Sequence, residues 1–360
     1  MKTSLPGLNW NARHFGMTPR VYGRSMLMLF LCSFSFLTSA QNKIWHKTFG
    51  GNLNEQLTAA QPTTDGGYIL GGTSFSGKSG DKSEPSRDTK QNESEQGDYW
   101  IVKLKADGSK AWDKTFGGTS RDVLGTILQT SDGGFILGGT SFSGKSGDKS
   151  EDSWGDESNF TAGDFWIVKL NADGSKAWDK TIGSKNSDYF ATLYQTQDGG
   201  YILGGTSYSD KGGDKSEGAK GFDDYWVVKL DAKGAKQWDK TIGSSSFDYL
   251  TSVQQTKDGG YILGGNSSGT ISGDKSENPR GGTDDYWIIK LNSNGKKVWD
   301  KTSGGNRNDL LQSIQQTADN GYILGGTSDS RKTGEKSEEN KGNDDLWIVK
   351  LNADGSKAWD

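Results

Sequence analysis

The residues best suited to chemistry in this chain are acids, and they recur. Gly-Asp-Lys-Ser-Glu occurs in four polar segments, pairing Asp81 with Glu84, Asp148 with Glu151, Asp214 with Glu217 and Asp274 with Glu277. A fifth segment carries Glu335 and Glu338 in the related Glu-Lys-Ser-Glu. Further acids follow at Asp223-Asp224 and Asp284-Asp285, and others stand at Asp122, Asp188, Asp248 and Asp309. Such a density of carboxylates in glycine-rich loops fits calcium, which takes six to eight oxygen ligands. The spacing matches neither the EF-hand loop nor the nonapeptide calcium repeat. Two other readings stand beside calcium. The lysine of each motif neutralises its acidic neighbours in a solvated loop, or each Asp bonds the backbone of its own loop. No cofactor is required, and calcium is the one these residues admit.

Other chemistries are narrowed by composition. The first 40 residues hold all four Met, the single Cys (Cys32), one of the two His, four basic residues and no acid. The remaining 320 residues keep only His46, and their 38 Lys+Arg face 46 Asp+Glu, a net charge of −8. That excludes disulfides, a thiol nucleophile and a Cys/His zinc site. An acidic surface argues against nucleic acid as a partner. A glycoside hydrolase needs two carboxylates in different environments. The repeated glutamates are equivalent to one another, and the unique residues form no recognisable catalytic pair. The chain therefore reads as a non-catalytic binding or scaffold module for an extracellular protein or polysaccharide. A carbohydrate-active enzyme and a purely structural piece of a longer array are the alternatives. The second loop is atypical, and its Trp154 and Phe160, set among polar residues, are the candidate ligand contacts, suited to stacking on a sugar or anchoring a partner.

What must position these loops is a repeated unit. Trp45, Trp112, Trp178, Trp238, Trp299 and Trp359 recur at intervals of 67, 66, 60, 61 and 60 residues. Between them each unit has four short segments rich in β-branched and aromatic residues, punctuated by Asp-Gly or Asn-Gly turns. This is hairpin patterning. In Tyr225-Trp-Val-Val-Lys-Leu230, alternate residues share a face. Each unit is therefore a four-stranded antiparallel meander with strands a to d, and stacking buries its two faces against neighbours. The expected fold is all-β, a β-propeller of five four-stranded blades. A d-like segment, Lys43–Thr48, opens the chain and is expected to close the ring in the fifth blade. The stub at Trp359-Asp360 competes for that position and suggests a chain cut from a longer array. The long b–c loops and the d–a loops emerge together, giving one acid-rich face. The tryptophans of strands c and d are expected in the core.

The string Asp-Tyr/Phe-Trp-Ile/Val-Val-Lys-Leu-Asn-Ala-Asp-Gly-Ser-Lys-Ala-Trp-Asp-Lys-Thr, with Asp-Gly-Gly-Tyr-Ile-Leu-Gly-Gly, resembles the secreted β-propeller repeats of Bacteroidota. It is also similar to the SBBP-type β-propeller repeat. The resemblance covers residues 43–360 and implies fold and export, with no activity attached.

Export has its own signal. Residues 26–37 form a twelve-residue apolar run, too short for a bilayer and suited to a signal-peptide core. Arg20 and Arg24 precede it, and Thr38-Ser39-Ala40 follows as a cleavage site. Residues 1–40 are thus expected to be a signal peptide and 41–360 the repeat domain. Met17 offers a more compact start. Cleavage near Ala40 predicts a secreted or cell-surface protein with no membrane span.

Overall fold

The computed structural model describes residues 45–88, 97–155 and 162–360. The expected signal segment and Phe160 lie outside the described residues. The first sheet contains β1 (Glu55–Pro62), β2 (Tyr68–Ser74), β3 (Asp98–Leu104) and β4 (Lys110–Phe116). The second has β5 (Asp122–Gln129), β6 (Phe135–Ser141), β7 (Asp164–Leu170) and β8 (Lys176–Ile182). The third has β9 (Asp188–Gln195), β10 (Tyr201–Ser207), β11 (Asp224–Leu230) and β12 (Lys236–Ile242). The fourth has β13 (Asp248–Gln255), β14 (Tyr261–Ser267), β15 (Asp285–Leu291) and β16 (Lys297–Ser303). The fifth has β17 (Asp309–Gln316), β18 (Tyr322–Ser328), β19 (Asp345–Leu351) and β20 (Lys357–Trp359). Every sheet is an antiparallel meander in sequence order. Among the described residues there is no helix, and so none long and apolar enough to cross a membrane.

The turns explain the hairpins. At Asp107-Gly108 the chain reverses with Gly108 at φ 77°, and its N–H donates to the Lys105 carbonyl at 3.0 Å. Only glycine reaches that region cheaply. In the turn between the first and second strands, where Gly66, Gly133, Gly199 and Gly259 also have positive φ, the last unit places Asn320 at φ 66°, which asparagine tolerates better than other non-glycine residues.

The sheets radiate. The first strands of successive sheets run side by side near the middle, while the fourth strands diverge. The third strand of each of the first four sheets is buried on both faces. In β3, Trp100, Val102 and Leu104 face the chain's start, while Tyr99 and Ile101 pack against the second sheet's Trp166 and Val168. In the first four sheets a second-strand glycine admits the next sheet. A methyl group on Gly71 would lie 2.8 Å from Leu124 and Ile127; on Gly204 it would lie 2.3 Å from Leu250. Trp100, Trp166, Trp226, Trp287 and Trp347 are buried, as their positions in alternating strands predict. The fourth-strand tryptophans depart from the expected core placement: Trp112, Trp178, Trp238 and Trp299 are only half-buried, each lying over a turn glycine of the next sheet, such as Trp112 over Gly174, and Trp359, with no sheet beyond it, is 52% exposed.

The ends differ from the expected closure. β20, the C-terminal stub, pairs with β19 and supplies the fifth sheet's fourth strand. The N-terminal segment lies instead on the first sheet, where Trp45 meets the Tyr68 ring edge-on at 5.8 Å. No strand of the first sheet approaches one of the fifth. The N-terminal residues cannot serve both places, and their apolar side chains are satisfied against Trp100, Val102 and Leu104.

Candidate functional site

The acidic loops emerge on one face, as the meander requires, and each residue of Gly-Asp-Lys-Ser-Glu has a position in the framework. Asp81, Asp148, Asp214 and Asp274 accept the N–H of Gly50, Gly117, Gly183 and Gly243 at 3.2–3.3 Å, tying each loop to the preceding d–a connection. Glu84 accepts from Lys114 and from the Thr115 N–H, both at 3.1 Å. Glu151 does the same with Lys180 and Thr181, Glu217 with Lys240 and Thr241, and Glu277 with Lys301 and Thr302. Arg87 bridges Glu84 to Asp148, and Arg280 bridges Glu277 to Glu335. The serine N–H caps the fourth-strand aspartate: Ser216 donates to Asp239 at 2.8 Å, and Asp239 also accepts the Trp226 indole N–H at 3.1 Å. Among the described residues, no three His, Cys, Asp or Glu side chains gather as metal ligands.

The lysine of the motif turns inward. Lys82, Lys149, Lys215 and Lys275 are buried beside the aspartates that open the first and third strands. Burial lowers Lys275 to about 8, opposed by Asp248 and Asp285. Burial likewise pushes Asp122, Asp164 and Asp285 up to about 7, and Asp188 and Asp248 to about 6, against hydrogen bonds that favour the charged form. Perturbed carboxylates often mark active sites. Here they repeat from sheet to sheet and lie inside, which makes them framework.

Asymmetry begins at Trp154. Its N–H caps Asp164 at 2.8 Å, the position held by Arg87, Lys220, Arg280 and Lys341 toward their own aspartates. The other four are cations. Trp154 is 51% exposed, and its indole N–H donates to Asp214 at 2.8 Å. A cleft of about 450 Å³ opens beside it, lined by Glu151, Asp152, Lys180, Asp214 and Lys236 among others. So the structure brings Trp154 together with two of the repeated acids, Glu151 and Asp214.

A second asymmetric cluster escaped the sequence reading. Phe222 and Phe247 are exposed and stacked, centroids 4.9 Å apart, and Phe247 stacks on Tyr249 at 6.3 Å. Tyr208 meets Tyr189 edge-on at 5.7 Å beside them. Three junctions gather these rings. The Asp223–Phe247 bridge joins the start of β11 to the start of β13, Phe222 donates its N–H to Ser246, and Tyr208 donates its N–H to Ser187. Beneath them Asp223 is buried, which raises its carboxyl against the Tyr249 and Tyr208 hydroxyls. The signal was available in the repeats. The residue before the first strand is Asn54, Arg121, Ser187 or Asn308 elsewhere, and only here phenylalanine.

No protein-family model and no curated protein sequence matches the chain. Solved structures resemble it in fold alone. A protein of unknown function from Dyadobacter fermentans is 12% identical, with TM-score 0.47, over 85% of this chain and 82% of that one. A protein of unknown function from Bacteroides caccae is 10% identical, TM-score 0.31, over 73% and 88%. A Synechocystis apocarotenoid oxygenase variant is 9% identical, TM-score 0.38, over 86% and 70%. The chain has a β-propeller-like fold of five four-stranded blades.

Proposed function

We propose that this protein is a secreted or cell-surface recognition module, without catalysis, that binds an extended polysaccharide on its loop face. The observation that carries this reading is the platform of exposed Phe222, Phe247, Tyr208 and Tyr189, with half-buried Tyr249 stacked on Phe247, at the junction of the third and fourth sheets. Flat rings edged by tyrosine hydroxyls suit the apolar face and the hydroxyl rim of a sugar. Trp154, exposed above its cleft, is a second contact on the same face. The resemblance to secreted Bacteroidota and SBBP-type repeats, and the signal-like residues 1–40, support the extracellular setting. The repeated acids support the framework reading over a role in binding, because lysine, arginine and backbone N–H groups already engage them.

The test is a polysaccharide panel with Phe222→Thr/Phe247→Asn, which restores the residues of the fourth and fifth units at these positions. Loss of a wild-type signal in the double variant supports the reading. A panel without any signal, or capture of a protein ligand unaffected by these changes, contradicts it.

A further inference from the structure

The strongest unassigned feature is the pair of end faces. Four times within the chain, the face presented by one sheet receives the next. Leu124 and Ile127 enter at Gly71, Phe190 at Gly138, Leu250 and Val253 at Gly204, and Leu311 and Ile314 at Gly264. In the fifth sheet the corresponding Gly325 faces open space, and Leu346 and Ile348 beside it are 86% and 44% exposed. In the first sheet Leu57 holds the place of Leu124, and it is 68% exposed. The fifth sheet thus has an empty socket and the first an unseated knob.

The fourth strand is divided in the same way. β20 pairs only at Lys350–Trp359 and Leu351–Lys357, whereas β4 also pairs Tyr99–Phe116, Trp100–Thr115 and Ile101–Lys114. Residues 357–360 followed by residues 47–51 read Lys-Ala-Trp-Asp-Lys-Thr-Phe-Gly-Gly, identical to residues 110–118. Residues 47–51 already lie on their own first sheet as the end of a preceding fourth strand would. The Gly50 carbonyl accepts the Asp81 N–H at 2.8 Å, as Gly117 accepts Asp148, and Trp45 covers Gly108 as Trp112 covers Gly174.

We infer that the fifth sheet of one molecule docks on the first sheet of a second copy of this chain, head to tail, with the second copy's Lys47–Phe49 completing the ladder beside Ile348, Trp347 and Leu346. The occupant follows from continuity with a joint the chain already builds four times. Two positions adapt it. Leu346 stands where Tyr99, Tyr225 and Tyr286 donate to a main-chain carbonyl of the next sheet, so the new joint is more apolar there. Pro62 stands where Gln129 accepts the Thr64 N–H, so that bond is absent. Trp45 and Trp359 address the same seat over Gly108, and in the docked pair Trp359 takes it while Trp45 leaves. The contact is heterologous, so it propagates to rings or filaments unless capped.

Gly325→Val tests this cleanly, because a Cβ at this position has no neighbour within 4 Å in one molecule, while the added side chain fills the socket. Sedimentation across a concentration series is expected to show association of the wild type, weakened at least about tenfold in Gly325→Val and in Leu57→Asp, with melting temperatures unchanged. Mixing the two variants is expected to restore one joint and give a 1:1 dimer, since each keeps the face the other has lost. A wild type monomeric at every concentration, or a mixture that fails to pair, overturns the inference. A monomer in which Gly325→Val lowers the melting temperature would place the chain's own first sheet in the socket, and overturns it equally.

Discussion

Asp239→Ala is the most informative single change to the framework, because one carboxylate holds three groups. Asp239 is 3% exposed and accepts from the Trp226 indole at 3.1 Å, the Ser216 N–H at 2.8 Å and Lys236 at 3.0 Å. Alanine leaves the buried indole N–H and the loop N–H without an acceptor, at about 1–3 kcal/mol each. The Lys236 pair adds little, since that side chain is 31% exposed and screened by water. The expected loss is about 4 kcal/mol, read from the shift in the urea midpoint of the unfolding transition. Asp239→Asn keeps one acceptor and is expected to cost about half as much. The change also frees the third b–c loop at Ser216, so the segment leading to Phe222 should gain proteolytic sensitivity before global unfolding. A loss below about 1 kcal/mol would refute the claim that these loops are stapled through the fourth-strand aspartates.

Three further outcomes follow from the same geometry. The buried aspartates raised to about 6–7 hold protons in the folded state that the unfolded chain has released by about pH 4, so stability falls as pH rises from about 4 to 7. The melting temperature should be higher at pH 5 than at pH 8, with Asp132 and Asp198, lowered to about 2, opposing this only below about pH 4. Deleting 357–360 should destabilise more than deleting 43–48, because Asp360 accepts the Trp347 indole at 3.0 Å and the Ser337 N–H at 2.8 Å; calorimetry decides the ranking. Calcium added after chelation should leave the melting temperature unchanged, since the loop carboxylates already have cationic and N–H partners; a rise would show preferential binding to the folded state.

The strands were legible because their cues are local. Asp-Gly turns and alternating apolar residues mark each boundary, and the Tyr-Trp-Val-Val run of β11 falls where its pattern predicts. The partners of the acids were not legible. Glu217 finds Lys240 and the Thr241 N–H across the sheet, and nothing in local spacing distinguishes that from an ion site. The aromatic platform was hidden because its members come from four segments between Tyr189 and Tyr249, each one or two residues from a strand end. Only comparison of equivalent positions between units brings out Phe222 and Phe247. Closure stayed open for a related reason. The sequence offers two candidates for one strand, and the choice depends on which sheet face Trp45 covers.

The central claim is that the repeated residues build the framework and that recognition lies where the repeat is broken. The direct measurement is a paired determination of polysaccharide affinity and melting temperature for Phe222→Thr/Phe247→Asn and for Glu84→Gln, which lies on the first sheet with Lys114, Thr115 and Arg87. The account predicts that the first variant loses at least about tenfold in affinity, about 1.4 kcal/mol, at unchanged melting temperature. It predicts that the second lowers the melting temperature at unchanged affinity. Binding that survives the aromatic change and disappears with Glu84→Gln would contradict it.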